Sequence, residues 1–370
     1  MENITIHYQN KPIYPIVLSD SFDMIPQLTR RIGAEGRKVC IVSDSNVAPL
    51  YLDEVSRLFG TCCQVFHFVF PAGEANKNLE TVNQLYEVLI RVHLERGDFL
   101  AALGGGVTGD LTGFAAATYL RGIRFVQIPT SLLAQVDSSI GGKTGVDFRS
   151  WKNMIGAFHQ PSFVLSCSRS LLSLPDREYL SGLGEIVKHG LIRSDTYYQW
   201  LKNHREQILN RDLAVMTEMI LQSDHIKQAV VENDPQEKGE RAVLNFGHTI
   251  GHAIEKLEKF SKLHGECISI GCCAAAFLSM KRGMITEENY MDIVRTLESF
   301  RLPVKVCPRD YKAEDIVRTS KSDKKMDQGK IRFILLQGIG NAVIDHSVTD
   351  EEILSAAGSV ICQEPVEAGR

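Results

Sequence analysis

The sequence of 370 residues has no stretch approaching ~20 consecutive apolar residues, which excludes an ordinary membrane-spanning helix. It opens MENITIHYQNKPIYPIVL, an alternating pattern suited to strands, without the charged and apolar regions of a secretion signal. Charge of one sign is also missing: 41 Lys and Arg stand against 45 Asp and Glu. The net of -4 gives no field to recruit nucleic acid or an anionic membrane, so the expected partners are small molecules. Nine cysteines form an odd, scattered set with no CxxC pair, so reduced thiols and a cytoplasmic location are expected. Internal repeats and low-complexity blocks are absent. What is present, 44% hydrophobic and 23% charged residues over this length, suits a globular protein with two cores.

The first half alternates short apolar runs with amphipathic stretches. KVCIVSD precedes a helical pattern through Val47 to Phe59, QVFHFVF one through Leu79 to Leu94, and FLAALGGG another from about Val107 to Tyr119. FVQIPT and SFVLS continue this βαβα rhythm, which implies a parallel sheet. From about Pro175 long helical patterns take over until IRFILL near residue 331. The expectation is an α/β domain over 1–174 with a parallel-sheet nucleotide-binding core, followed by a mostly helical, metal-binding domain over 175–370, and a functional site in the cleft between domains.

In DFLAALGGGVTGD, glycines separate a buried-type strand from a helix start, where unpaired N–H groups and the helix dipole favour a phosphate. Gly104, Gly106 and Gly109 satisfy GxGxxG, yet no Asp or Glu lies between Asp110 and Asp137 to take a ribose, and a tight packing turn would leave the same pattern. Asp44, Glu74 and Lys77 are alternative polar contacts for a nucleotide, although each alone would more often be a cap or a surface charge. GGKTG ends like a phosphate-binding P-loop, but the position of that loop's first glycine is Asp137, so the reading fails. An Asp and a Lys, Asp137 and Lys143, remain in a glycine-rich loop, the lysine suited to an oxyanion.

RAVLNFGHTIGHAIEKLEKF reads as one helix, in which Arg241, Asn245, His248 and His252 stack on one face. Two histidines four apart can share a metal, and two more core or surface histidines would look the same. His264 follows in KLHGE. Upstream, Glu185 lies in SGLGEIVKHG on a helix opened by Pro175 and Asp176, sharing a face with Lys188. Two histidines and one carboxylate leave coordination positions open, as a catalytic zinc does, and no cysteine has the spacing of a closed structural site. Spacing leaves both His248 with His252 and His248 with His264 open as pairs.

Taken together, GGGVTGDLTGFAAATYLRG, QIPTSLLAQVDSSIGGKTGV, KNMIGAF, GEIVKHG, LNFGHTIGHAIE and LHGE resemble the 3-dehydroquinate synthases in order and spacing across residues 40 to 330. The resemblance implies zinc, or cobalt in its place, on Glu185, His248 and His264. It implies NAD contacts from Asp44, Glu74, Lys77, Gly105, Gly106, Val107, Asp110, Thr130, Ser131, Lys143 and Lys152. It implies a substrate set of Asp137, Lys143, Asn153, Lys188, Lys227, Arg241, Asn245, His252 and Lys324 or Lys325, with Arg121 reaching into the neighbouring site of a homodimer. The implied activity converts 3-deoxy-D-arabino-heptulosonate 7-phosphate to 3-dehydroquinate and phosphate in the shikimate pathway, by transient oxidation at C5, phosphate elimination, re-reduction and aldol closure.

This sequence departs from the family where Asp147, Phe148, Arg149, Ser150 and Trp151 replace the usual Asn-His-Pro stretch before Lys152, a change at the edge of the cofactor site in which Trp151 is expected as a packing plug in preference to a substrate contact. The rival family is the 2-deoxy-scyllo-inosose synthases, whose substrate lacks the carboxylate that Arg241 and Lys227 would meet. Polyol dehydrogenases, which release NADH, have no need of the phosphate-binding residues around Lys143 and Lys152.

Overall fold

The computed structural model describes residues 2–149, 151–235, 239–308, 310–323 and 332–362. The chain divides into two compact units, Met1–Pro175 with Arg211–Pro235, and Asp176–Asn210 with Gln236–Arg370.

The first unit contains β1 (Glu2–Tyr8), β2 (Lys11–Ser19), α1 (Ile25–Arg31), β3 (Lys38–Asp44), α2 (Ala48–Gly60), β4 (Gln64–Phe70), α3 (Leu79–Arg91), β5 (Phe99–Gly104), α4 (Gly106–Thr118), β6 (Arg124–Pro129), β7 (Lys143–Phe148), β8 (Trp151–Phe158) and β9 (Val164–Cys167). Seven strands form one sheet in the order β1-β2-β9-β6-β5-β3-β4, parallel except for the β1–β2 hairpin. Both faces are covered, which is why β3 and β5 read as continuous apolar runs. Val39 and Ile41 of β3 join Phe99, Ala101 and Leu103 of β5 in one core, with Leu28 of α1 and Val55 of α2. Cys40, Val42 and Leu100 point to the other face, against Leu85 of α3 and Leu111 of α4.

The glycine-rich stretch at 141–145 leads into a β7–β8 hairpin that packs on α4, so Lys143 opens a strand instead of sitting in the expected loop. The second unit holds α5 (Asp176–Arg193), α6 (Asp195–Asn203) and α7 (Arg205–Leu209). The long α8 (Leu213–Asn233) packs on β1 and β2 and so falls with the first unit, although the sequence reading put all of 175–370 in the second. The second unit continues with α9 (His248–Leu257), α10 (His264–Lys281), α11 (Glu287–Ser299), α12 (Ala313–Asp323), the hairpin β10 (Phe333–Gly338) and β11 (Asn341–Asp345), and α13 (Asp350–Ser359).

The single helix expected over 241–260 is broken. A 3-10 turn over Glu240–Asn245 ends in extended backbone at Phe246, and Gly247 adopts a left-handed φ of 79° before α9 starts. A side chain at Gly247 would meet the Cys272 backbone nitrogen at 2.7 Å, so glycine is required both by its φ and by the close approach of α10. Arg241 and Asn245 therefore do not continue the helix face of His248 and His252.

Among the described residues no helix is long and apolar enough to cross a membrane. Cys307 and Cys362 form a disulfide, which corrects the expectation of wholly reduced thiols for that pair. The backbone already joins them: Val306 N–H donates to the Val360 carbonyl and Cys362 N–H to the Val306 carbonyl, both at 2.8 Å. The other seven cysteines are free, and Cys267, Cys272 and Cys273 are buried packing in α10.

Candidate active site

In the first unit the expected cofactor residues collect at the carboxyl edge of the parallel sheet. From β3 the chain moves outward to β4, then returns to place β5 on the other side of β3, so the strand order reverses between β3 and β5. In open parallel sheets that switch point leaves a ligand crevice outside the carboxyl ends. Asp44 ends β3 there, and Gly104 ends β5. The register pairs Gly104 with Pro129, and Thr130 N–H donates to the Gly104 carbonyl at 3.0 Å, which brings Thr130 and Ser131 to the same edge.

The four glycines divide by role. A side chain at Gly104 would meet Thr108 Oγ1 at 2.5 Å and one at Gly109 would meet Gln127 Oε1 at 2.8 Å, so these two serve strand–helix packing. A side chain at Gly105 would meet the Ser131 hydroxyl at 3.4 Å, and one at Gly106 the Ser138 hydroxyl at 3.1 Å. With Val107 they form the α4 N-terminus, which has no side-chain cap and can offer its N–H groups to an anion. Asp44 accepts from Asn46 and Val47 N–H at 2.9 and 3.1 Å and from Thr108 Oγ1 at 3.1 Å, so it is a fixed loop carboxylate beside that turn.

Beside it, Lys77 is 4% exposed and donates to Asp110 Oδ2 and Asn153 Oδ1, each at 2.6 Å, with Glu74 at 4.0 Å. Burial works to lower its pKa, but Asp110 and Glu74 carry it above the ordinary lysine range. Lys152 Nζ lies 3.5 Å from the same Glu74 carboxylate. Asp147 accepts from Asn153 N–H at 2.8 Å and donates its own N–H to the Lys77 carbonyl at 2.8 Å. The departure from the family pattern is thus part of a hairpin turn that presents Asn153, at φ 54°, to Lys77. Trp151 is 43% exposed on β8. Arg121 lies exposed in a 3-10 turn after α4.

Asp137 sits in a π-helical turn, Ala134–Ser138, where the nearly buried Lys227 of α8 donates to both its carboxylate and its carbonyl. One turn before Lys227, Asp224 is fully buried with no hydrogen-bond partner on either carboxylate oxygen, and burial raises its pKa well above the ordinary range.

The second unit gathers the metal candidates. Glu185 and Lys188 face inward from α5 at 0% and 1% exposure and are ion-paired through Glu185 Oε2. Glu185 Oε1 has no hydrogen-bond partner; its neighbours are His264 Nε2 at 3.6 Å and His248 Nε2 at 3.7 Å. Ligand nitrogens of His248, His252 and His264 lie within 4.8 Å of one another, so the geometry places a third histidine beside the pair. Burial would raise the Glu185 carboxyl, but Lys188 and the imidazoles hold it well below the usual range. Burial and the Lys188 charge keep His248 neutral, ready to ligate. His264, despite burial, is pushed up to about 10 by Glu185 and Glu255, so this spot attracts a cation. A buried carboxylate oxygen without a donor, faced by two imidazole nitrogens, fits a divalent metal.

The helices are held together by glycines next to the candidate ligands. A side chain at Gly184 would lie 2.6 Å from the Gly265 carbonyl, and one at Gly265 would lie 1.8 Å from the Ser181 carbonyl, so α5 and α10 touch backbone to backbone beside Glu185 and His264. Arg241 is buried at 3% in the 3-10 turn, with Asn245 half-buried at its end. Lys324 and Lys325 lie outside the described residues. The sequence reading gave no role to Glu255 or Asp224. Glu255 ends the quoted GHAIE run, but its facing residue only becomes visible when α9 and α10 are paired.

The family model described as 3-dehydroquinate synthase N-terminal matches residues 67–181, and that described as 3-dehydroquinate synthase C-terminal matches residues 182–326. The chain belongs to the 3-dehydroquinate synthase family. A protein named 3-dehydroquinate synthase from Acetivibrio thermocellus is 42% identical over 96% of this chain and 98% of its own length. Among solved structures, a 2-deoxy-scyllo-inosose synthase complexed with carbaglucose-6-phosphate, NAD+ and Co2+ is 25% identical with a TM-score of 0.88, covering 97% of this chain and all of the other. A 2-epi-5-epi-valiolone synthase from Streptomyces hygroscopicus subsp. jinggangensis, with NAD+ and Zn2+ bound, is 27% identical with a TM-score of 0.87, covering 96% of this chain and 98% of the other.

Proposed function

We propose that this chain is a 3-dehydroquinate synthase that converts 3-deoxy-D-arabino-heptulosonate 7-phosphate to 3-dehydroquinate and phosphate in the shikimate pathway. Family membership at 42% identity over nearly the whole chain supports the reading. The observation that carries it to chemistry is the buried Glu185 oxygen facing His248 and His264. Those three residues hold zinc, with cobalt an alternative, and His252 stays within reach for substrate.

When bound, zinc supplies a Lewis acid for vicinal hydroxyls and NAD accepts and returns one hydride. The chain's own residues bind and orient. Asp44, Glu74, Lys77, Gly105, Gly106, Val107, Asp110, Thr130, Ser131, Lys143 and Lys152 serve the dinucleotide, with its diphosphate on the α4 N-terminus. Arg241 takes the substrate carboxylate, since its fork matches two oxygens, and Lys227 assists. Lys143, Asn153, Asn245, His252 and Lys324 or Lys325 hold the phosphate so that its own oxygen removes the C6 proton. Fixing that geometry is worth up to ~7 to 11 kcal/mol. Lys188 keeps Glu185 ionised, and Asp137 holds Lys227 in place.

The chain works as a cytoplasmic homodimer with Arg121 reaching the partner's site. The exposed side chains Phe148, Trp151, Met154 and Phe158 of the β7–β8 hairpin support pairing between copies.

The test incubates the protein with catalytic NAD, zinc and the heptulosonate phosphate, with a chelator-treated control, following inorganic phosphate and dehydroquinate together. Equal release of both, without net NADH and lost on chelation, is expected. Accumulating NADH would make it a dehydrogenase; turnover of glucose 6-phosphate instead would make it a carboxylate-free cyclase.

A further inference from the structure

We propose that Glu255 is a positioning residue that fixes the imidazole of His264 so that its Nε2 faces the metal site. The inference rests on the reading of Glu185, His248 and His264 as the metal set.

Both ligand histidines are held from behind. His248 donates from Nδ1 to the Phe246 carbonyl at 3.1 Å, a backbone group fixed by the turn before α9. His264 has no such backbone acceptor in the same role; its Nδ1 faces Glu255 Oε2 at 3.4 Å. With Nδ1–H turned to its acceptor on each ring, Nε2 is the atom left facing the region beside Glu185 Oε1, where a bound cation takes the place of the His264 Nε2 proton.

The two rings differ in how much else restrains them. The His248 side chain is 10% exposed, whereas His264 is the first residue of α10 and its side chain is 26% exposed. A ring at a helix start, partly in solvent, has rotamers to lose. Glu255 is well placed to select one, because it is 5% exposed and sits on α9 one turn after His252. Its backbone cannot drift from α10: a side chain at Gly251 would meet the Cys267 carbonyl at 2.9 Å, and one at Gly271 the Gly247 carbonyl at 2.0 Å. A buried carboxylate behind His264 also makes the imidazole a stronger donor to a cation and offsets the charge that Lys188 brings to the same cluster.

The test measures zinc affinity by chelator competition, and the visible spectrum of the cobalt-loaded protein, for Glu255→Ala, Glu255→Gln and His264→Ala. Thermal melts of the metal-free forms check folding. Glu255→Ala is expected to weaken zinc binding by roughly 10–100-fold and to shift the cobalt bands. Glu255→Gln keeps an acceptor oxygen and is expected to recover most of the affinity and the original bands. Should Glu255→Ala not fold, Glu255→Asp replaces it, since the shorter acid cannot reach His264 and should behave as the alanine variant does. A folded alanine or aspartate variant with unaltered affinity and spectrum overturns the proposal, as does a glutamine variant no better than alanine. If His264→Ala itself leaves affinity and spectrum unchanged, the metal assignment fails first.

Discussion

Replacing Gly265 by alanine tests whether the backbone contact between α5 and α10 sets the metal geometry. The added Cβ would lie 1.8 Å from the Ser181 carbonyl oxygen and 2.6 Å from its carbon, neither of which can rotate away. Reaching even the 3.0 Å that real contacts respect requires α10 to retreat from α5 by about 1.2 Å. Metal–ligand distances tolerate roughly 0.2 Å, so a displacement several times larger separates His264 from Glu185 beyond shared coordination. The hydrogen bond from Gly265 N–H to Ser181 Oγ, now 3.0 Å, is lost with it. Overpacking of this kind costs about 1–3 kcal/mol, a fall of roughly 2–12 °C in Tm for a unit of this size. The assay is zinc content after dialysis against a graded chelator, paired with a thermal melt. The expected variant is folded, modestly less stable and unable to retain zinc at chelator levels the parent protein survives. A variant that loses stability yet binds zinc with parental affinity would refute the argument that this contact fixes the ligand distance.

Three further outcomes are expected. Glu185→Gln should weaken zinc retention by more than the ~10–100-fold that outer partners contribute, and should cost about 3–5 kcal/mol because it strands the buried Lys188 charge; chelator titration and urea melts check both. Asp224 has a folded pKa raised above its unfolded value, so its contribution to stability is complete below pH ~3.9 and is lost as pH rises through the raised value. Asp224→Asn should flatten the fall of Tm as pH rises above ~4 and gain most at the alkaline end; parallel profiles for the two proteins would contradict this. His252→Ala should raise KM and cost less than roughly 10²-fold in kcat if the substrate phosphate is the base, whereas a loss well beyond 10⁴-fold would assign the proton to His252.

The parallel sheet was legible because strands covered on both faces are largely apolar, and the short run FLAALG alternates along the chain with amphipathic helical stretches. The hairpin at 143–158 was not. Its strand β8 alternates exposed and half-buried residues, and its glycines resemble a ligand loop as much as a pair of strands crossing closely. Gly145 and Gly156 are in fact small because each backbone meets the other strand, at 2.8 and 2.4 Å from a would-be side chain. The break at Phe246–Gly247 was hidden for a related reason: helical periodicity continues across it, and the left-handed φ is imposed by α10, which lies later in the chain. His248, His252 and His264 could be named from sequence, but their grouping with Glu185 depends on the Gly184–Gly265 and Gly247–Gly271 contacts, which no local pattern reports.

The arrangement of charges follows one logic in both units. Lys77 is paired with Asp110, Lys227 with Asp137 and Lys188 with Glu185, and each of these lysines is under 5% exposed. Leaving any of them unpaired in so dry a setting would cost several kcal/mol, so the internal carboxylates hold the three side chains in place before a ligand arrives. An incoming anion then exchanges for a partner already present, and gains little from one such exchange. The internal pairing therefore makes these sites selective as well as stable, because each lysine's charge is already satisfied at home and discriminates against any ligand that offers it too little.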